Sequence, residues 1–440
     1  AGRRPWARPG GFKGRDAWWP WMEYRLGRGF RPGLVVVVRS GWAGGTVEEA
    51  REVKRTAVGP TRVVVAGGGV AALEALLALR HLAEERVDLT LVCPDSELSY
   101  RPASVAVPFG RGEVYHYRLA DMASSVGARL IEGVVEAVDT DAARVRLAAG
   151  DAVSYDVLVV AIGARRRPVM HGAIAFRGDE DIPAIEKLLA EIRAGAARHV
   201  VFALPRGSSW ALPLYELALL TARHLAEHRI ERVSISLVTP EEQPLAQFGG
   251  AVSDTVRQLL DQHRVALHSA AYPVTLAHGR LLLVPAAVLP ADRVVCIPAA
   301  RGVPISGLPS DSEGFLVVNE FGQVRGVDDV YAVGDITSYP IKQGGIAAQQ
   351  ADVAAHVIAN RAGATLGEPP QFRPVLRGLL ITGGQPQYLV AELGGGKGDT
   401  AISSTEPLWW PGGKVAAHYL GPYLAAHAPA GIDTERAQGA

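Results

Sequence analysis

From Thr61 onward, short apolar runs alternate with amphipathic stretches in a way that predicts repeated strand–helix units. Val63-Val64-Val65 is a β-branched run ending on Gly67-Gly68-Gly69, and the stretch after it places Leu73, Leu76 and Leu77 at helical spacing. A second run, Leu89 to Val92, predicts a strand that stops at Cys93-Pro94 and completes a βαβ unit. Residues 129–161 alternate apolar and polar positions in short runs broken by Asp-Thr-Asp and Ala-Gly-Asp. This predicts a small antiparallel meander leading into the buried strand DVLVVAIGA. The pattern then recurs: HVVFALPRG (199–207) parallels RVVVAGGGV (62–70), and SLVTPEE (236–242) parallels TLVCPDSE (90–97). Val63 to Pro94 covers 31 positions and Val200 to Pro240 covers 40, so the second unit carries a longer loop or helix.

The pattern predicts an α/β protein with two Rossmann-like domains, each a three-layer ββα sandwich, and a C-terminal region. The first domain is discontinuous, 59–170 with 297–365, because GFLVVNEFGQVRGVDDVYAVGDIT and the helical KQGGIAAQQADVAAHVIA return to it. The second spans 171–296, and 366–440 holds a hairpin, LRGLLITGGQPQYLVAEL, then a segment rich in tryptophan and tyrosine. Residues 1–58 have five of the eight tryptophans and no sustained period, and read as a poorly ordered extension or a misassigned start. A processed leader and a binding arm are the other readings. The Arg3-Arg4 pair lacks the apolar region that an export signal needs.

Composition narrows the class. A formal net charge of zero and 20% charged residues give no footprint for nucleic acid. Cys93 and Cys296 are far apart and build no disulfide framework or metal site, which fits a reducing compartment. No apolar run reaches the ~18 residues needed to span a bilayer. The expectation is a cytoplasmic protein, with peripheral contact at the inner face of a membrane left open.

Gly67-x-Gly69-x-x-Ala72 follows a strand and opens a helix, the context that gives the motif meaning. Gly67 permits the turn, Gly69 admits a diphosphate to the backbone, and the helix N-terminus supplies N–H donors. Two further segments agree: Asp156-Val-Leu-Val-Val-Ala161-Ile-Gly163-Ala and Val330-Tyr-Ala-Val-Gly334-Asp335. Together the three motifs resemble the FAD-dependent pyridine nucleotide-disulfide oxidoreductase superfamily. The resemblance implies FAD as cofactor, backbone passing close to it at Ala161 and Gly163, and Asp335 hydrogen-bonding its ribitol. It also sets Gly68, Val70, Ala71, Val134 and Val135 along the cofactor. Where the family ends its second strand with an acid for the adenosine ribose, this chain has Cys93.

The family's dithiol reductases need a CxxxxC pair, which is absent. Ser99-Tyr-Arg101-Pro102 resembles the segment beside the flavin in type II NADH dehydrogenases and sulfide:quinone oxidoreductases. Pro340-Ile-Lys342-Gln-Gly344 resembles their late helix, whose N-terminus faces the flavin and quinone. On that resemblance Lys342 and Gly344 lie near the flavin, and Lys342 tunes it. Glu216, in Pro213-Leu-Tyr215-Glu216, matches a glutamate that those relatives place near flavin and nicotinamide. It is a candidate proton relay to a reduced acceptor. The second loop, Pro205-Arg-Gly207-Ser-Ser-Trp210, keeps one glycine of a phosphate loop, and the following strand ends on Thr239. NAD(P)H therefore stands as one donor and a non-nicotinamide reductant as another. The function expected is electron transfer through FAD to a quinone or other small acceptor. A sulfide:quinone oxidoreductase-like enzyme and a low-turnover flavin redox sensor remain as alternatives.

Overall fold

The structure, a computed structural model, describes residues 59–428 other than 169, 209 and 395–399. The extension 1–58 and the reading of it lie outside the described residues. The helices in chain order are α1 (Val70–Ala83), α2 (Leu119–Ser125), α3 (Ile182–Arg193), α4 (Leu212–Glu227), α5 (Gly250–Gln262), α6 (Gly344–Arg361) and α7 (Leu420–Ala426).

Two five-stranded parallel sheets organise them. In the first, Thr61–Ala66 is central, flanked by Val87–Cys93 and then Arg129–Glu132 on one side, and by Val157–Val160 and then Val330–Ala332 on the other. In the second, His199–Ala203 is central, flanked by Ser234–Val238 and Val265–His268 on one side, and by Arg293–Cys296 and Ile174–Ala175 on the other. Such strands are covered on both faces, which is why they read as unbroken apolar runs rather than alternations. Val63, Val64 and Val65 are 0%, 1% and 0% exposed.

Each sheet has helices on one face and a three-stranded antiparallel meander on the other. Val63 and Val65 join a core with α1 and α6, while Val64 and Ala66 face Val145, Leu147 and Val153 of the first meander. Phe202 and Leu237 pack on α3, α4 and α5, while Val201 and Val238 face Leu281 and Leu283 of the second. This is the expected ββα architecture. One detail differs: residues 129–132 belong to the parallel sheet, paired with Thr90–Cys93, and the meander begins at Val135. The short Arg129–Glu132 run has too few residues for its period to reveal the partner.

The C-terminal region spans both cores. Leu376, Leu380 and Leu389 of its hairpin enter the core around α4, whereas Val415, Ala417, Leu420 and Leu424 enter the core around α1.

Candidate functional site

The loop after the first strand has only three residues, all glycine, and the geometry explains why. Gly67 has φ 129°, and a Cβ there would lie 2.3 Å from the Ala161 carbonyl oxygen. A Cβ on Gly68 would lie 2.4 Å from the Cys93 sulfur. Gly69 caps α1 with no side-chain hydrogen bond, and a Cβ there would meet nothing within 4 Å. The helix thus begins with unclaimed N–H groups facing open space, the arrangement an anionic diphosphate needs. Val70 and Ala71 form the first turn.

Gly334 closes the seat from the other side. Its φ is 79°, and a Cβ would lie 2.9 Å from the Ala71 Cβ. The diphosphate cradle and Asp335 are therefore adjacent although about 265 positions separate them. The Gly334 N–H donates to Gln350 Oε1 at 2.7 Å, which fixes this turn against α6. Burial raises the Asp335 carboxyl, with Arg166 and Lys342 opposing; Arg166 Nη2 lies 3.4 Å from Asp335 Oδ2. Gly163, at φ 73°, also faces open space. These residues fit FAD: backbone without side chains where the diphosphate passes, and a carboxylate where hydroxyls need an acceptor.

The other expected residues spread around this seat. Cys93, 1% exposed, ends its strand against Gly68 and behaves as a small buried hydrophobe, its thiol pushed up by burial. Val134 is 54% exposed and Val135 opens the meander. Arg101 and Pro102 begin a short turn, with Arg101 Nε 3.8 Å from Asp179 Oδ1 of the second unit. Gly344 starts α6 under Val415, whose Cγ2 would be 3.0 Å from a Cβ there. Lys342 is buried, donates to the Thr337 carbonyl, and its Nζ lies 3.9 Å from the centroid of the Phe315 ring. Burial pulls its pKa down to about 8, with Asp335 and Asp311 opposing.

Glu216 is fully buried and is not free to act alone. Lys414 Nζ reaches both of its oxygens, at 2.5 and 2.6 Å, and the Ile381 N–H donates to Oε1 at 2.8 Å. Burial raises the Glu216 carboxyl and lowers the Lys414 ammonium, so both partners move toward neutrality. The sequence showed Lys414 only as a cation among aromatics. A glutamate on an apolar helix face was the one signal that a buried cation must exist somewhere.

Lys414 also lines a largely apolar cavity with Tyr100, Tyr117, Leu379, Ile381 and Leu424. Tyr100 OH accepts from the Val415 N–H at 3.1 Å, and Val415 in turn covers Gly344. The cavity thus adjoins the N-terminus of α6.

The second unit's crevice is built differently. Trp210 packs against Phe248, with ring centroids 5.9 Å apart, and Pro213 removes one N–H from the first turn of α4. Beyond Thr239, Glu241 turns inward. Its Oε2 accepts from Tyr215 OH at 2.7 Å and from Thr239 Oγ1 at 2.9 Å.

Paired Rossmann-type units, a glycine seat for a dinucleotide and a late Gly-Asp define a two-domain flavoprotein oxidoreductase. The family model described as pyridine nucleotide-disulphide oxidoreductase matches residues 61–355, and the chain belongs to that family, with FAD as its cofactor. A sulfide-quinone reductase of Aquifex aeolicus is 28% identical over 210 residues, 45% of this chain and 47% of that protein. The match thus spans about half of that relative's length. Among solved structures, the sulfide:quinone oxidoreductase of Aquifex aeolicus has a TM-score of 0.70 at 22% identity, covering 78% of this chain and 86% of that one. NDH2 from Plasmodium falciparum, in complex with NADH, has a TM-score of 0.59 at 13% identity, covering 77% and 92%.

Proposed function

We propose that this flavoprotein reduces a quinone-type acceptor in the apolar cavity beneath the C-terminal region, with Lys414 and Glu216 handling the protons. The observation that carries the reading is the buried Glu216–Lys414 pair, one member of which forms the cavity wall. Bound FAD supplies the two-electron carrier. Reduction of a quinone to a quinol also takes up two protons, which a titratable group in the cavity wall can deliver. Lys414 presents an ammonium at that wall and donates one of the two protons, Glu216 is the carboxylate that holds it in place, and the second proton and the recharging of Lys414 come from solvent. Burial disfavours the charged form of both groups, which brings the neutral pair closer to the ionised one than it would be in water.

The sulfide-quinone reductase relative supports the acceptor class. So does the surface around the cavity: Trp410, 69% exposed, and Leu408 lie on the segment that reaches its lining residue Pro411. Exposed tryptophan beside an apolar opening suits a lipid-soluble acceptor entering from a bilayer surface. Among the described residues no helix is long and apolar enough to cross a membrane, so this contact is peripheral.

On the donor side, the inward-turned Glu241, Pro213 and Trp210 favour a reductant other than NAD(P)H. With Cys93 and Cys296 both buried and apart, no thiol pair is offered either.

Anaerobic half-reactions test both sides. Millimolar NADH or NADPH is expected to leave the flavin oxidised over minutes. Dithionite-reduced protein is expected to reoxidise with a short-chain benzoquinone, and Lys414→Met to slow that step by about 100-fold or more. Rapid bleaching by either nicotinamide overturns the donor reading. Reoxidation at wild-type speed in Lys414→Met overturns the proton assignment.

A further inference from the structure

We propose that Glu74 and Asp352 form a buried carboxyl pair sharing one proton, and that this pair positions the C-terminal wall of the acceptor cavity. Losing the shared proton loosens that wall and weakens acceptor binding. The inference rests on the reading of the cavity as an acceptor site.

Glu74 is the fifth residue of α1, fully buried on a face otherwise made of alanine and leucine. Among the described residues no basic side chain forms a salt bridge with it, and no cation is among the causes that shift it. Its Oε1 accepts from the backbone N–H of His418 at 2.6 Å and of Tyr419 at 2.9 Å, and its Oε2 from that of Leu420 at 2.5 Å. Those donors are the unclaimed N–H groups leading into α7, so the carboxylate caps a helix from another element. The cavity lining lies on both sides of this clamp, with Lys414 and Val415 before it and Gly421 and Leu424 after it.

Across from Glu74, α6 packs on α1 and brings in Asp352, whose carboxyl interacts with that of Glu74 and whose Oδ1 is buried without a hydrogen-bond partner. Two carboxyl groups this close in a buried site cannot both be ionised, so one proton lies between them. Three N–H donors mark Glu74 as the anion and leave Asp352 as the acid. Burial pushes the Asp352 carboxyl well up, and the Glu74 charge pushes it further. Burial also raises Glu74, while the backbone donors pull it down. The other titratable groups facing the pair come from the C-terminal segment, Tyr419 and His418, with His81 of α1 5.3 Å from the Tyr419 ring.

The sign follows from linkage. An acid whose folded pKa is raised binds its proton more tightly in the folded protein than in the unfolded chain. Its contribution is complete below the unfolded value near 4 and is lost as pH rises through the folded one. Alkaline pH is therefore the direction that opens the clamp.

Glu216 supplies an independent parallel. It is the fifth residue of α4, the equivalent helix of the second unit, and is also fully buried. It holds the same stretch of chain through Lys414. Residues 414–420 are thus held from both halves, by a cation on one side and by bare amides on the other.

The test uses FAD-loaded full-length protein, with two readouts between about pH 6 and about pH 9. One is the concentration dependence of reoxidation by a short-chain benzoquinone. The other is amide hydrogen exchange at His418, Tyr419 and Leu420. In the wild type, half-saturation for the quinone is expected to rise about tenfold on the alkaline side. Exchange at the three amides should accelerate over the same range beyond its intrinsic pH dependence. Asp352→Asn keeps the shape and removes the titration, so both alkaline changes should vanish. Glu74→Gln offers one acceptor oxygen in place of two, and should raise half-saturation about 10- to 100-fold at every pH and expose the three amides. If Asp352→Asn retains the alkaline limb, or Glu74→Gln leaves the amides protected, the pairing is wrong. If benzoquinone never reoxidises the flavin, the cavity reading fails, and exchange at the three amides alone decides on the pair.

Discussion

Three glycines carry the chain from strand to helix in the first half, and eight residues, Leu204 to Ala211, do so in the second. Both loops leave the middle of a five-stranded parallel sheet and enter a helix packed on its face. At Gly69 the space ahead of the helix is open, whereas the second loop carries Trp210 onto Phe248 and α4 has a proline as its second residue. The acids differ in the same sense. Asp335 stands beside the open seat, while Glu241 is tied inward by Tyr215 and Thr239. Apolar burial along strand and helix maintains the topology, and the loop alone decides whether a dinucleotide is held. On the proposed donor reading, the second unit keeps the first property without the second, and its helix serves another use. Here α4 carries Glu216 to Lys414.

The largest expected effect comes from filling the open seat. Gly69 has an extended backbone and no neighbour for a Cβ, so Gly69→Trp should fold yet exclude the diphosphate. Several N–H bonds to a charged group would be forfeited, at roughly 1.5–3 kcal/mol each, so flavin affinity should fall by on the order of 10³-fold or more. The purified variant should be colourless while retaining its far-UV circular dichroism. Trp210→Gly, at the matching point of the second loop, should leave the flavin content as it is. A yellow Gly69→Trp protein would break the comparison.

A second effect concerns the repurposed helix. Glu216→Leu leaves the Lys414 ammonium buried without its partner, and loss of one member of a buried pair costs about 3–5 kcal/mol. Chemical denaturation should show that loss, and the double variant Glu216→Leu/Lys414→Met should recover most of it. If the single variant is as stable as the wild type, the pair is not desolvated as described.

What could be read from the sequence divides along the same line. Strands such as Val63–Val65 and the glycines that follow are local signals, because a Cβ on Gly67 or Gly68 would collide with its neighbours and the open space ahead of Gly69 is kept by leaving it bare. The family motifs at Ala161–Gly163 and Gly334–Asp335 are local signals too, each a short run of neighbouring residues. The partners of Glu216 and Glu74 were not legible, since 198 positions separate Glu216 from Lys414 and 344 separate Glu74 from His418. Only tertiary packing brings such groups together. The inward turn of Glu241 was hidden too, because Thr239 at the strand end drew attention from the acid two residues on. Residues 129–132 read as part of the meander because four positions cannot distinguish an edge strand of a parallel sheet from an antiparallel one.

The smallest effect sharpens the donor side of the comparison. Tyr215 and Thr239 both donate to one oxygen of Glu241, and the other oxygen has no hydrogen-bond partner. Burial already raises the Glu241 carboxyl, and the two hydroxyls pull it back. Tyr215→Phe removes one of those donors and leaves none unsatisfied, so it should cost only about 1 kcal/mol near neutral pH. The raised folded pKa moves higher still, so this loss should shrink as pH falls through the folded value and vanish only well below the unfolded value of about 4.3, where Glu241 is protonated in both states. Denaturation midpoints at several pH values measure it. If Glu241 were instead a ribose acceptor in waiting, millimolar NADH would stabilise the wild type and Tyr215→Phe would bind it more tightly. The closed crevice predicts that NADH shifts neither midpoint.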